Sequence, residues 1–166
     1  MTGRFGFGVR CLAALAALTM EWPAVNPRLA AAGDEAPPAA VLTRVLDEPF
    51  DEVVVHLGAA ITSANFRITG ENDIGSGLRQ RGYADFPRYR IIHFCNLELA
   101  REGILIDRRL GAIMPCRAAV YEQDGHSVIA MTSAAAMIAP LANPALDPFR
   151  RKLEAAFARI LADAAD

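Results

Sequence analysis

The spacing of apolar positions changes several times along the chain, and each change marks an element. Val41 to Leu46 (VLTRVL) reads as a short strand. Asp47-Glu48-Pro49 follows, with acidic residues ahead of a proline, the chemistry of a helix start. Phe50, Val53, Val54, Leu57, Ile61 and Ala64 then recur at three- and four-residue spacing and predict an amphipathic helix of about fourteen residues. Phe66 and Ile68 alternate with Arg67 and Thr69 as a strand that Gly70 closes. Asp73 is placed to cap a short helix carrying Ile74 and Leu78, with Gly82 as its stop.

Tyr89 to Asn96 (YRIIHFCN) is rich in β-branched and aromatic residues and predicts a strand. Leu97, Ala100 and Ile104 share one face of a helix over Leu97–Ile104, which Asn96 would cap by accepting a backbone N–H. Ile113–Tyr121 and Ser127–Thr132 read as two strands joined through Asp124-Gly125, a strong hairpin signal. In the last helix Asp147 is the expected cap and Pro148 the first helical residue, while Phe149, Leu153, Phe157, Ile160 and Leu161 form one stripe. Together these elements predict an α+β fold: a single compact domain with a mixed, largely antiparallel sheet covered by helices.

The start of the chain follows a different pattern. Arg4 and Arg10 precede an apolar run, Cys11 to Met20, and Ala30-Ala31-Ala32 supplies small residues before Gly33. Ten residues rise about 15 Å as a helix, half of a ~30 Å hydrocarbon core, so the run is too short to span a bilayer. The combination is that of a secretory signal peptide over residues 1–32. A Pro-rich lead-in follows over 33–40, and the α+β domain occupies 41–166. The expectation is a periplasmic or secreted protein with no membrane span in its mature form.

Composition bounds the function. The 166 residues are 53% hydrophobic, and 17 basic residues against 19 acidic leave a net charge of −2. Nucleic-acid binding would call for a basic excess and is not expected. Loss of the leader removes Arg4, Arg10, Arg28 and Glu21, leaving the remainder more acidic still. Cys11 leaves with it, so two of the three cysteines, Cys95 and Cys116, stay in an oxidising compartment.

No G-x-S-x-G elbow, P-loop or C-x-x-C motif is present, and Gly75-Ser76-Gly77 fails the G-x-G-x-x-G pattern because position 80 is Gln. What remains is a cluster visible through strand alternation. His93 and Cys95 share one face of their strand, and Met114 and Cys116 share a face of another if that strand runs through Pro115. A two-residue turn at Asp124-Gly125 sets Met131 opposite Ala118, diagonal to Cys116. Imidazole, thiolate and thioether from His93, Cys95, Met114, Cys116 and Met131 form a soft donor set suited to copper(I). Cys95 and Cys116 are equally readable as a core pair, a structural disulfide or a redox-active thiol pair. His56 reads as a boundary residue of the first helix, His126 as a solvated residue beside the turn, and Arg108, Arg109 and Arg117 as a candidate anion site.

The stretches YRIIHFCNLELA and LGAIMPCRAAVYEQDGHSVIAMTSAAAM carry a resemblance. Cys95-Asn96, Pro115-Cys116 and Val120-Tyr121-Glu122 resemble three elements of the domain-of-unknown-function 302 family. The likeness extends over roughly Val41 to Leu161, with Leu97 standing where Pro is usual and Met114 where Leu is common. It implies a small α+β domain with helices on a sheet, two cysteines close in space, and no established reaction.

The function expected is therefore an exported, non-enzymatic domain that binds a small ligand, a metal or a protein partner, with a homodimer as one form of partnership. The rival is a thiol-dependent redox or sulfur-metabolism activity using Cys95 and Cys116. An i, i+2 pair on a strand lies about 6–7 Å apart, too far for His93 to act directly as the base for Cys95.

Overall fold

A computed structural model describes residues 39–165 of the chain. The expected leader over 1–32 and all but the last two residues of the lead-in lie outside the described residues.

Five strands form one sheet in the order β1-β5-β4-β3-β2. They are β1 (Val41–Leu46), β2 (Arg67–Asp73), β3 (Tyr89–Cys95), β4 (Cys116–Gln123) and β5 (His126–Thr132). Every pairing is antiparallel, so the sheet expected to be mixed has no parallel pair among the described strands. The helices are α1 (Phe50–Ser63), α2 (Ile74–Arg79), α3 (Leu97–Ile106), α4 (Ala134–Ile138) and α5 (Asp147–Asp163), with short 3-10 turns between them.

Local chemistry accounts for most of these boundaries. The Asp73 carboxylate accepts from Ser76 N at 2.8 Å and starts α2, while Gly82 takes φ +97° just past its end. Asp124 and Gly125 both adopt positive φ, 52° and 83°, the mirror-image turn whose twist matches that of its strands. That turn fixes the hairpin register, with Ala118 opposite Met131 as expected.

Four boundaries differ from the sequence expectation. Gly70 does not close β2: the ladder slips between Ile68 and Gly70, and the strand resumes to Asp73. A glycine weakens a strand yet tolerates such a bulge. β4 starts at Cys116 rather than Ile113, because a 3-10 turn occupies Arg108–Ala112 and Pro115 has no N–H for a ladder. Met114 therefore sits in a loop. Asp147 is the first residue of α5 rather than its cap, since a 3-10 turn over Pro144–Leu146, capped by Asn143, runs straight into the helix. Its carboxylate instead accepts from Arg150 Nε at 3.2 Å. Finally, Ala134–Ile138 form a helix that the apolar pattern did not mark, capped by Ser133 Oγ accepting from Ala136 N.

The helices bury one face of the sheet. Ile92 and Phe94 of β3, Cys116, Ala118 and Val120 of β4, and Ile129 and Met131 of β5 meet the apolar faces of α1 and α5 there. Phe94 lies at the centre, edge-on to Phe66 at 5.5 Å and to Phe157 of α5 at 6.2 Å. Each side chain of this size contributes about 1.5–3 kcal/mol through burial. Phe149, Leu153, Phe157 and Ile160 bury the expected stripe of α5, with Leu161 at its margin.

Candidate functional site

The ends of β3 and β4 meet beside α3, and both cysteines are there. Phe94 pairs with Cys116, so Cys95 stands one residue further, diagonal to Cys116. Cys95 closes β3, and the next residue, Asn96, opens α3 with its Oδ1 accepting from Glu98 N and Leu99 N, both at 3.0 Å. Asn96 Nδ2 also donates to Asn65 O at 2.9 Å, tying this corner to the end of α1.

A cavity of about 20 Å³ opens at that corner. Cys95, Met114, Cys116 and Met137 are among the residues that line it, together with Leu110 and Phe149. No Asp, Glu, Lys, Arg or His lines it. The volume is about that of one water-sized particle, a size that suits a single atom or ion.

Both cysteines are free thiols. Burial pushes the Cys116 thiol up to about 12, and the neighbouring Cys95 adds to the rise. Cys95, half-buried, is also raised by burial. The direction is opposite to that of an activated nucleophile, whose thiolate is stabilised by a cation or a helix N-terminus.

The five residues grouped by strand alternation do not all converge. Cys95, Met114 and Cys116 border the cavity, Met114 from the loop before β4. His93 faces the opposite side of the sheet from Phe94, across from exposed Arg117, and its Nε2 lies 2.6 Å from Asn72 Oδ1. Met131 shares the core face with Cys116 but is fully buried against the helices, outside the cavity lining. Met137 of α4 takes the place expected of Met131. Its signal in the sequence was Ser133 three residues before Ala136, a capping spacing ahead of an alanine-rich turn. Among the described residues, no three His, Cys, Asp or Glu side chains are grouped to hold a metal ion. Any soft-metal site therefore needs the thioethers.

A polar clamp follows the end of α3, where Leu110 N donates to Asp107 O at 3.0 Å. The Asp107 carboxylate receives Arg109 N and Nε at 3.0 Å, Arg109 Nη2 at 2.7 Å and Asn143 Nδ2 at 3.0 Å. The Arg109 guanidinium beside it holds this carboxyl well below the usual range, with Asn143 adding to the effect. Arg109 Nη2 also donates to Leu141 O at 2.9 Å. Arg109 is thereby committed to structure and withdrawn from the anion trio expected with Arg108 and Arg117. His56 Nδ1 stands 2.8 Å from Glu48 Oε2, without the alignment of a hydrogen bond, and His126 Nδ1 lies 2.8 Å from Asp47 Oδ1 at the surface. Neither histidine approaches the cavity lining.

The family described as domain of unknown function DUF302 matches residues 42–164. The crystal structure of an uncharacterized conserved DUF302 protein from Bacillus stearothermophilus is similar in fold, with a TM-score of 0.71 at 19% identity. The alignment covers 75% of this chain and 98% of that one. No curated protein matches the chain.

Proposed function

We propose that this chain, which belongs to the DUF302 family, is an exported, non-enzymatic binding domain that holds one soft metal ion, copper(I), in its sulfur-lined cavity. The carrying observation is the convergence of Cys95, Cys116, Met114 and Met137 on a cavity with room for a single ion. Thiolate and thioether are the ligands that select copper(I) over harder cations. Two thiols that are protonated when the site is empty would release their protons to the solvent on binding, and the metal would supply the charge that burial otherwise disfavours. The neutral thioethers would complete the coordination without adding charge. Export is supported by the leader pattern of residues 1–32. A thiol-dependent enzymatic activity has less support, because both thiols are raised and His93 is on the far face of the sheet.

Anaerobic titration of the full chain with copper(I), in competition with a chromogenic chelator, tests the proposal. One ion per wild-type chain is expected, with retention lost in the Cys95→Ser, Cys116→Ser double variant. Met137→Leu preserves volume and should weaken retention while leaving the fold intact. Failure of wild type to compete with the chelator, or equal retention by the double variant, overturns it.

A further inference from the structure

The sheet has two faces, and the apolar faces of α1 and α5 meet only one of them. The register arranges the other in rows across the strands. Thr43, Ala130, Ala119 and Ile91 form the middle row, with Asn72 at its edge. Two positions toward one end stand Val45, Val128, Tyr121 and Tyr89, and the two tyrosine rings are stacked with centroids 5.4 Å apart. Two positions toward the other end stand Val41 beside Thr132, and Arg117 beside His93. Val45 is 61% exposed and Val41 52%, while Ile91, Ala119, Tyr89 and Tyr121 are half-buried. No aspartate or glutamate occurs in the three rows.

This pattern is complementary to itself. A twofold axis that runs across the strands over the middle row carries each end of the face onto the opposite end of a second copy. Positions 117 and 121 are equidistant from Ala119, so Arg117 meets the partner's Tyr121. Val41 meets the partner's Val45 in the same way, and Thr132 the partner's Val128. A tyrosine offers an aromatic wall to the arginine stem and a hydroxyl that accepts from its guanidinium. Alanines in the middle row suit the spacing of about 10 Å at which sheets pack face to face. The two Arg117 residues stay about 13 Å apart along the strands, beyond the screening length of about 8 Å. An axis along the strands would instead lay the Arg117 end upon itself. Because β4 is the middle strand of five, that arrangement sets two guanidinium groups against each other, and charge selects the first. Five strands about 4.8 Å apart and about six residues long offer roughly 24 Å by 20 Å, so two copies cover about 1,000 Å², the area at which specific interfaces begin.

We propose that this face joins two copies of the chain in a twofold dimer, with Arg117 of each copy on the partner's Tyr121. The assembly needs no metal, so a failure of copper(I) retention leaves it standing, and its own failure leaves copper(I) binding untouched.

Light scattering on the full, metal-free chain as it leaves a size-exclusion column, over a dilution series and in dithiothreitol to exclude thiol-linked species, tests the arrangement. The mass of two chains is expected at micromolar concentration. Arg117→Glu and Val45→Glu should each raise the dimer dissociation constant about tenfold or more, since every change occurs twice per dimer. Val55→Glu alters a valine of α1 that is 67% exposed and should dimerise as wild type does. Adding Tyr121→Lys to Arg117→Glu exchanges the charges across the interface and should restore most of the dimer. Within one chain the two positions are about 13 Å apart, too far to pair. A monomer at every concentration, equal loss in Val55→Glu, a dimer strengthened by Arg117→Glu, or no recovery in the double variant each overturns the proposal.

Discussion

Replacing Gly103 of α3 by alanine should destabilise the fold, although the same change in a helix normally stabilises it. Alanine in place of a helical glycine is worth about 0.5–1 kcal/mol through backbone entropy. At position 103, however, an added Cβ would lie 2.4 Å from Leu110 Cδ2 and 3.0 Å from Phe149 Cζ. To reach an ordinary contact of about 3.5 Å, Leu110 must retreat about 1 Å within packed surroundings. Overpacking of this kind costs about 1–3 kcal/mol, so a net loss of about 1–2 kcal/mol is expected. Gly58 of α1 is the control, since its added Cβ would meet only Ile68 Cδ1, at 3.7 Å. Gly58→Ala should gain about 0.5–1 kcal/mol. With a urea slope of about 2 kcal/mol/M, the two midpoints should separate by about 1 M in opposite directions from wild type. Circular dichroism through a urea series measures both. A Gly103→Ala protein as stable as Gly58→Ala would refute the packing account. Leu110 and Phe149 also line the sulfur cavity, so the displaced Leu110 should narrow it and weaken copper(I) retention in the same variant.

Three further outcomes are expected. Asp107 is held below the unfolded carboxylate value of about 3.9, so its contribution is complete above about pH 5 and fades as pH falls toward its folded value. Asp107→Asn should lower the melting temperature at pH 7 and flatten its decline between about pH 4 and pH 2; parallel melting curves for the two proteins over that range would argue against the clamp. Asn96→Ala should lose about 1 kcal/mol by urea denaturation, and Asn96→Asp should recover only the part carried by the acceptor oxygen at Glu98 and Leu99, because the Nδ2 donation to Asn65 O is still lost. Protein recovered from the exported fraction should begin at Gly33 on N-terminal sequencing, and an intact Met1 there would end the leader assignment.

The elements most legible in the sequence are those whose causes are local. The α1 and α5 stripes, the Asp73 and Asn96 caps and the Asp124-Gly125 turn depend on residues a few positions apart, and each formed where the pattern placed it. The start of α5 was misread by one residue because Asn143, not Asp147, begins the run of turns that leads into it. β2 outlasted Gly70 because pairing with β3 on the far side of a bulge outweighs the weak strand preference of one glycine. Periodicity does not mark the short α4, because five residues carry too little of it to stand out from an alanine-rich background, and the Ser133 cap is its one local signal.

The cavity was legible only in part, for a physical reason. Strand alternation put His93 and Cys95 on one face of β3 and Cys116 on the face of Val120 and Ile129, but the register that pairs Phe94 with Cys116 sets those two faces on opposite sides of the sheet. It could not say that the ladder begins at Cys116, which puts Met114 in a loop, nor that β3 ends at Cys95 beside the cavity. It had no access to Met137 or to the bridge from Asp107 to Asn143, 36 positions apart, because such contacts exist only after strand order and helix packing bring distant segments together. The sequence by itself thus determined the kinds of elements, their caps and turns, and the presence of soft donors. Tertiary structure decided which residues share a cavity and which face His93 sees, because burial and pairing are properties of the assembled layers.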